Sequence, residues 1–258
     1  MISRSLRQAL NRVLAFTGHE LLPRERDGIA TSFTTEGVFR RISARSTAVG
    51  TVLDVGAAAG RWTRKALAHF PEAQYLLIEP LEERRASLET LCASHDNLRM
   101  VFAVAGDRVG TVAFDVSSDL DGSGVYGGRG AAGREVPMTT LDAEVERLQL
   151  PAPYFIKLDT HGFELPILAG AQKTLAKTSV LLVEAYNFQL TEDSVRFPEL
   201  CGHLEAHGFR CADLADPMLR PDGVLWQMDL VFLPSDSECF AESRFATISR
   251  PQAQAVPV

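Results

Sequence analysis

The spacing of apolar residues changes its period along the chain. Near the start, Leu6, Leu10, Val13 and Leu14 recur at close to helical spacing and predict a helix over 3–16. "TTEGVFRRISARS" predicts a second, short helix, with Thr and Glu at its N-terminal end, where a capping oxygen and negative charge are favourable. From residue 49 onward, short and wholly apolar runs take over. "TVLDV" (51–55), "QYLLIEP" (74–80), "NLRMVFAVAG" (97–106), "YFIKLD" (154–159) and "VLLVEAY" (180–186) read as buried strands. Helical patterns separate them: "GRWTRKALAHF", "LEERRASLETLCASH", "LDAEVERLQL", a segment over 164–176, and "FPELCGHLEAHG" with Gly208 as its stop signal. "FRCADL" and "LWQMDLVFL" close the chain as an antiparallel pair. Strands buried on both faces and alternating with helices define an α/β class. The prediction is a doubly wound, mostly parallel seven-stranded sheet with helices on both faces.

Residues 107–139 break this rhythm. "GTVAFDV" alternates, "SSDLDGSGVYGGRGAAG" is loop, and "EVPMTTL" is extended again, which predicts a β-hairpin flap. The expected organisation is therefore an N-terminal helical cap over 1–48, a ligand-binding domain over 49–235 carrying the flap, and a polar, disordered tail over 236–258.

Composition narrows the function classes. The formal net charge is −7, and no Lys/Arg cluster forms a phosphate-tracking stripe, which argues against nucleic acid. The longest apolar run near the N-terminus is "VLAF", so the expectation is no stable membrane insertion and a cytoplasmic protein. The first amphipathic helix is expected to pack on its own domain rather than on lipid. Four cysteines lack C-x-x-C spacing. Cys92, Cys201 and Cys211 read as buried thiols and Cys239 as a thiol of the tail, in a reducing compartment.

Candidate chemistry is sought at strand ends, because open α/β sheets bind ligands outside the carboxyl ends of their strands. The first strand ends in "DVGAAAG", which places Asp54, Gly56, Ala57, Ala58 and Gly60 there. Small residues let a ligand approach the backbone, and the next helix presents free N–H groups. A dinucleotide fingerprint needs G-x-G-x-x-G, whereas this loop is G-x-x-x-G preceded by an acid. A carboxylate at the strand tip repels a pyrophosphate but suits a ligand bearing an ammonium group. The second strand ends in Glu79, 19 residues after Gly60, where an acid can accept from both hydroxyls of a ribose. These positions, with Ala103 on the third strand, predict S-adenosylmethionine as the cofactor. A dinucleotide oxidoreductase and a non-catalytic adenosyl-binding protein are the competing readings.

The chain resembles the FkbM-type methyltransferase family. The resemblance rests on "TVLDVGAAAGRWT", "YLLIEP", "NLRMVFAVAGDRVGTVAF", "MTTLDAEV", "YFIKLDTHGFELPILAGAQKTL", "VLLVEAY" and the late "MDLVF", in family order over about residues 35–233. It implies a Rossmann-like fold and S-adenosylmethionine-dependent methyl transfer to a hydroxyl of a small molecule, a sugar or glycan, or a polyketide-type natural product. The chain departs at Ala58, where the family often carries Asn.

Methylating a hydroxyl requires handling its proton, since an alcohol is about as weak an acid as water (pKa about 15.7). "IKLDTHGFEL" (156–165) supplies the candidates. Lys157 and Asp159 share one face of the fourth strand, and Asp159 lies nearest the expected crevice. His161 follows in the turn and can serve as a base near neutrality. Gly162 fits a backbone angle that other residues resist, and Glu164 fits the start of a helix. The catalytic candidates are Asp159, His161 and Lys157. For Lys157 the plainer reading is an ion pair that fixes the strand ends. A metal-assisted alternative, placed second, joins Asp159 and His161 to Glu184 or Asn187 around magnesium or manganese. Tyr126, Tyr186 and Phe188 are candidates for the wall of the acceptor pocket.

Overall fold

The computed structural model describes residues 33–125, 133–192 and 194–243. The helix expected over 3–16, Tyr126 and most of the tail lie outside these residues.

Five runs of β-branched and aliphatic residues form the parallel heart of the main sheet: β1 (Thr51–Val55), β2 (Gln74–Ile78), β3 (Leu98–Val101), β7 (Tyr154–Leu158) and β8 (Thr178–Tyr186). With β9 (Phe209–Leu219) and β10 (Leu225–Pro234) the order is β3-β2-β1-β7-β8-β10-β9. Only β10 runs antiparallel to its neighbours. Alternate residues of each strand feed two separate cores, as the pleat demands. Leu53, Leu76, Ile156 and Leu181 pack on one face, together with Leu141, Ile167 and Leu200. Val52, Tyr75, Phe155 and Leu182 pack on the other, against Phe39, Ala66 and Leu88.

The second face is covered by α1 (Thr35–Ala44), α2 (Arg61–His69) and α3 (Arg85–Ala93). Thr34 caps α1 by accepting from the Gly37 N–H, and Arg41 ties the helix to Asp213 on β9. The first face carries α4 (Leu141–Leu148), α5 (Glu164–Ala169), α6 (Gln172–Leu175) and α7 (Phe197–Ala206).

Two expectations change. The run 97–106 is not one strand: β3 ends at Val101 and the chain leaves the main sheet. Its continuation, β4 (Val104–Ala105), joins β5 (Gly110–Phe114) and β6 (Arg134–Thr139) in a small sheet ordered β4-β6-β5. The antiparallel β5–β6 pair is the expected hairpin, and the parallel β4–β6 pair widens it. The helix predicted over 164–176 is also broken, at Gly170. A Cβ there would lie 2.0 Å from the Gly106 carbonyl oxygen, so the small sheet and α5 meet only because residue 170 lacks a side chain. Pro166 sits in the first turn of α5, where its missing N–H costs nothing.

All four cysteines are free thiols, and Cys211 is exposed rather than buried because it lies on the edge strand β9. Among the described residues no helix is long and apolar enough to cross a membrane.

Candidate active site

β1, β2 and β7 end side by side, and the loops beyond their tips line a cavity of about 290 Å³. The loop after β1 makes one wall. Gly56 takes φ +77°, and a Cβ on it would lie 2.1 Å from the Asp159 carbonyl oxygen. No other residue fits that close approach. Ala58 follows at φ +47°, a left-handed conformation that alanine resists. Gly60 caps α2. Gly56, Ala57, Ala58, Glu79 and Ala103 all line the cavity.

Asp54 points away from the cavity. It is fully buried, one oxygen accepting from the Thr63 hydroxyl and the other lying 3.0 Å from Lys157 Nζ. The same ammonium reaches Asp159 Oδ2 at 3.1 Å and donates to the Gly56 carbonyl at 2.9 Å. Lys157 thereby ties the tip of β1 to the tip of β7. Burial opposes its charge, but Asp159 and Asp54 outweigh that and raise its pKa above the ordinary lysine range.

Glu79 stands directly after β2. Its Oε2 accepts from the Ala58 N–H at 2.8 Å and its Oε1 from the Leu81 N–H at 2.9 Å. Burial pushes its carboxyl up, and those two N–H groups partly restore the charged form. Each oxygen keeps further acceptor capacity toward the cavity it lines.

Beyond β7, Asp159 and His161 line the cavity, and Glu184 on β8 approaches them from behind. His161 adopts φ +55° and Gly162 φ +97°, so the chain turns sharply before α5. His161 Nδ1 lies 3.1 Å from the Ser123 carbonyl oxygen on the flap. Its Nε2 faces Asp159 Oδ1 at 3.7 Å and Glu184 Oε2 at 3.6 Å. Burial works against charge on Asp159, but Lys157 and His161 more than offset it and hold this carboxyl below the usual range. Glu184 is pushed up to about 9, by burial first and then by the Asp159 carboxylate. Tyr186 and Gln227 both donate to Glu184. Asp229, paired in register with Glu184, is raised to about 7 by burial and then by Asp159.

Glu164 serves the turn rather than the cavity. Its Oε1 accepts from the Thr160 hydroxyl and the Gly162 N–H, at 3.1 and 3.0 Å. Asn187 is occupied by the Leu225 carbonyl and the Trp226 backbone, and Glu184 is the donor that β8 places with Asp159 and His161. Phe188 stacks on Trp226, and Tyr186 packs edge-on to both Trp226 and His161.

Sequence reasoning missed Thr63, Ser123, Gln227 and Asp229. Thr63 was within reach, being in the first turn of the helix after the small-residue loop. Gln227 and Asp229 arrive through the antiparallel β8–β10 pairing, 43 residues from Glu184 in the case of Gln227, and no local motif announces them. The reading also missed two cavity-lining groups, Trp62 and Arg84. Trp62 Nε1 and Arg84 Nε are buried and have no hydrogen-bond partner among the described residues.

A mainly parallel sheet in this order, closed by one antiparallel strand and hollowed at its tips, is the Rossmann-like fold of the methyltransferases. The Methyltransferase FkbM domain matches residues 54–211, and the chain belongs to that family. No curated protein matches it. Among solved structures it is similar to methyltransferase FkbM from Methylobacillus flagellatus KT, with 18% identity, TM-score 0.49, and coverage of 71% of this chain and 43% of that one. This chain thus spans less than half of that protein's length. It is also similar to the 1,6-didemethyltoxoflavin-N1-methyltransferase of Burkholderia thailandensis, solved with S-adenosylhomocysteine, at 14% identity, TM-score 0.43 and 92% of both chains. A third similar structure is the fibrillarin pre-rRNA processing protein of Methanococcus jannaschii, at 12% identity, TM-score 0.46, and 73% and 68% coverage.

Proposed function

We propose that this protein transfers the methyl group of S-adenosylmethionine to a hydroxyl of a small molecule, a sugar or glycan, or a polyketide-type natural product. One observation carries the reading: a single cavity at the strand tips is lined by Glu79, by the small-residue loop after β1, and by Asp159 and His161. The donor set fits the cofactor. Glu79 offers acceptor oxygens for two ribose hydroxyls. The buried Nε1–H of Trp62 and Nε–H of Arg84 have no partner among the described residues and suit acceptor atoms of a bound ligand. Gly56, Ala57 and Ala58 let that ligand lie against backbone.

The cofactor supplies a methyl group already activated by its sulfonium. The protein's part is alignment and proton handling. Asp159 and His161 line the same cavity and would hold the acceptor oxygen there, in the near-attack arrangement that methyl transfer needs. Lys157 holds Asp159 ionised and fixed, and so acts as a positioning residue. The hydroxyl proton leaves as the oxygen attacks, because prior ionisation of a free alcohol is too costly.

Turnover with isotope-labelled methyl donor on hydroxylated acceptors tests the assignment. Nuclear magnetic resonance of the product is expected to show a new O–CH3 signal. Methyl found only on nitrogen or carbon contradicts it. Asp159→Asn should lower kcat by about 10²–10⁴-fold while cofactor affinity changes far less. Unchanged kcat removes Asp159 from the site.

A further inference from the structure

We propose that Asp159 Oδ1, His161 Nε2 and Glu184 Oε2 form a binding site for one divalent cation of the magnesium–manganese class. The inference deepens the O-methyl-transfer reading and rests on it for its chemical purpose. Sequence alone places this route second. The geometry brings it forward.

The three donor atoms lie within 4.8 Å of one another. His161 Nε2 is 3.7 Å from Asp159 Oδ1 and 3.6 Å from Glu184 Oε2. These separations are too long for good hydrogen bonds. A near-octahedral cation with ligands at about 2.1 Å sets neighbouring donors about 3.0 Å apart, so binding would draw these atoms closer by about half an ångström.

The far side of each ligand is anchored by the protein. His161 Nδ1 meets the Ser123 carbonyl, which fixes the proton on Nδ1 and leaves the Nε2 lone pair for a cation. Asp159 Oδ2 is held by Lys157, which leaves Oδ1 for a ligand, while Glu184 is oriented by Gln227 at Oε1 and by the Tyr186 hydroxyl at Oε2, which keeps one further lone pair. Such outer partners are what orient metal ligands.

Charge points the same way. Asp54, Asp159 and Glu184 bring three carboxylates against the single ammonium of Lys157. A divalent cation takes the place of the proton that this crowding otherwise keeps among the carboxyl groups. Two oxygens and one imidazole suit magnesium or manganese. Asp159 and His161 line the cavity, so a remaining coordination position faces the acceptor hydroxyl.

In that position the cation draws charge from the acceptor oxygen and lowers its pKa. The hydroxyl proton passes to solvent water. The oxygen's electron pair forms the new bond to the methyl carbon, and the carbon–sulfur pair remains on sulfur, releasing the neutral thioether. His161 then acts as a ligand, not as the base.

Titration of the full chain with Mn2+, following free Mn2+ by electron paramagnetic resonance, tests the site without reference to activity. One saturable Mn2+ per chain is expected. Glu184→Gln and His161→Asn should each weaken binding at least 10-fold while thermal unfolding remains cooperative. Asp159→Asn serves in place of either variant that fails to fold. No saturable binding up to millimolar Mn2+, or binding that both folded variants retain, overturns the site. S-adenosylhomocysteine titrated in parallel separates the two proposals. Binding of it without Mn2+ removes only the cation site. Mn2+ binding without it supports the site and removes the methyl-transfer reading.

Discussion

Ala58 stands in a left-handed conformation at φ +47° while its N–H bonds Glu79. A Cβ in that region costs roughly 1–2 kcal/mol. Asparagine tolerates it several-fold better than most residues, which gives a backbone reason for the Asn that the family often carries there. Ala58→Gly should raise the calorimetric melting temperature, by an amount corresponding to roughly 1 kcal/mol. A lower melting temperature would show that no strain is stored at this position. Glu164 is a different case, a carboxyl buried in the turn that carries Asp159 and His161. Burial raises its pKa above 4.5, so the folded state holds its proton to higher pH than the unfolded state does. Its contribution to stability is complete below the ordinary carboxyl range and is lost as pH rises through the raised value. Gln keeps the single acceptor oxygen used by Thr160 and Gly162. Glu164→Gln should therefore flatten the decline of the urea midpoint as pH rises above the ordinary carboxyl range. An identical decline in both proteins would mean that Glu164 ionises normally.

Among the elements, the breaks matter more than the strands. Strands β1, β2, β7 and β8 were legible because each is a short apolar run buried on both faces. The end of β3, where the chain leaves for the small sheet, was not, and the end of α5 rests on a tertiary contact, Gly170 against the Gly106 carbonyl. Nothing local to either segment encodes it. Gly170→Ala should cost at least about 1–3 kcal/mol, as overpacking does, in chemical denaturation. A neutral result would show that α5 and the small sheet can separate. The candidate site divides the same way. Glu79, Asp159 and His161 were readable because strand tips and turns are fixed by sequence. The inward lock of Asp54 on Thr63 and Lys157 was not, because it depends on how β1, α2 and β7 pack. The partners that β10 sends to Glu184 were hidden for the same reason.

For the molecule as a whole, one sheet order explains where the chemistry lies. β1 and β7 are neighbours, and Lys157 bridges their tips through Asp54, Gly56 and Asp159. The small-residue loop and Asp159 are thereby held by one ammonium. The central claim is that this arrangement binds the adenosyl cofactor through Glu79 and the loop after β1. Calorimetric titration with S-adenosylhomocysteine tests it most directly. The account predicts saturable binding of one ligand per chain, weakened about 10-fold or more, or about 1.4 kcal/mol, by Glu79→Ala. Absence of binding at high micromolar ligand by the folded chain, or equal affinity in the variant, would contradict it.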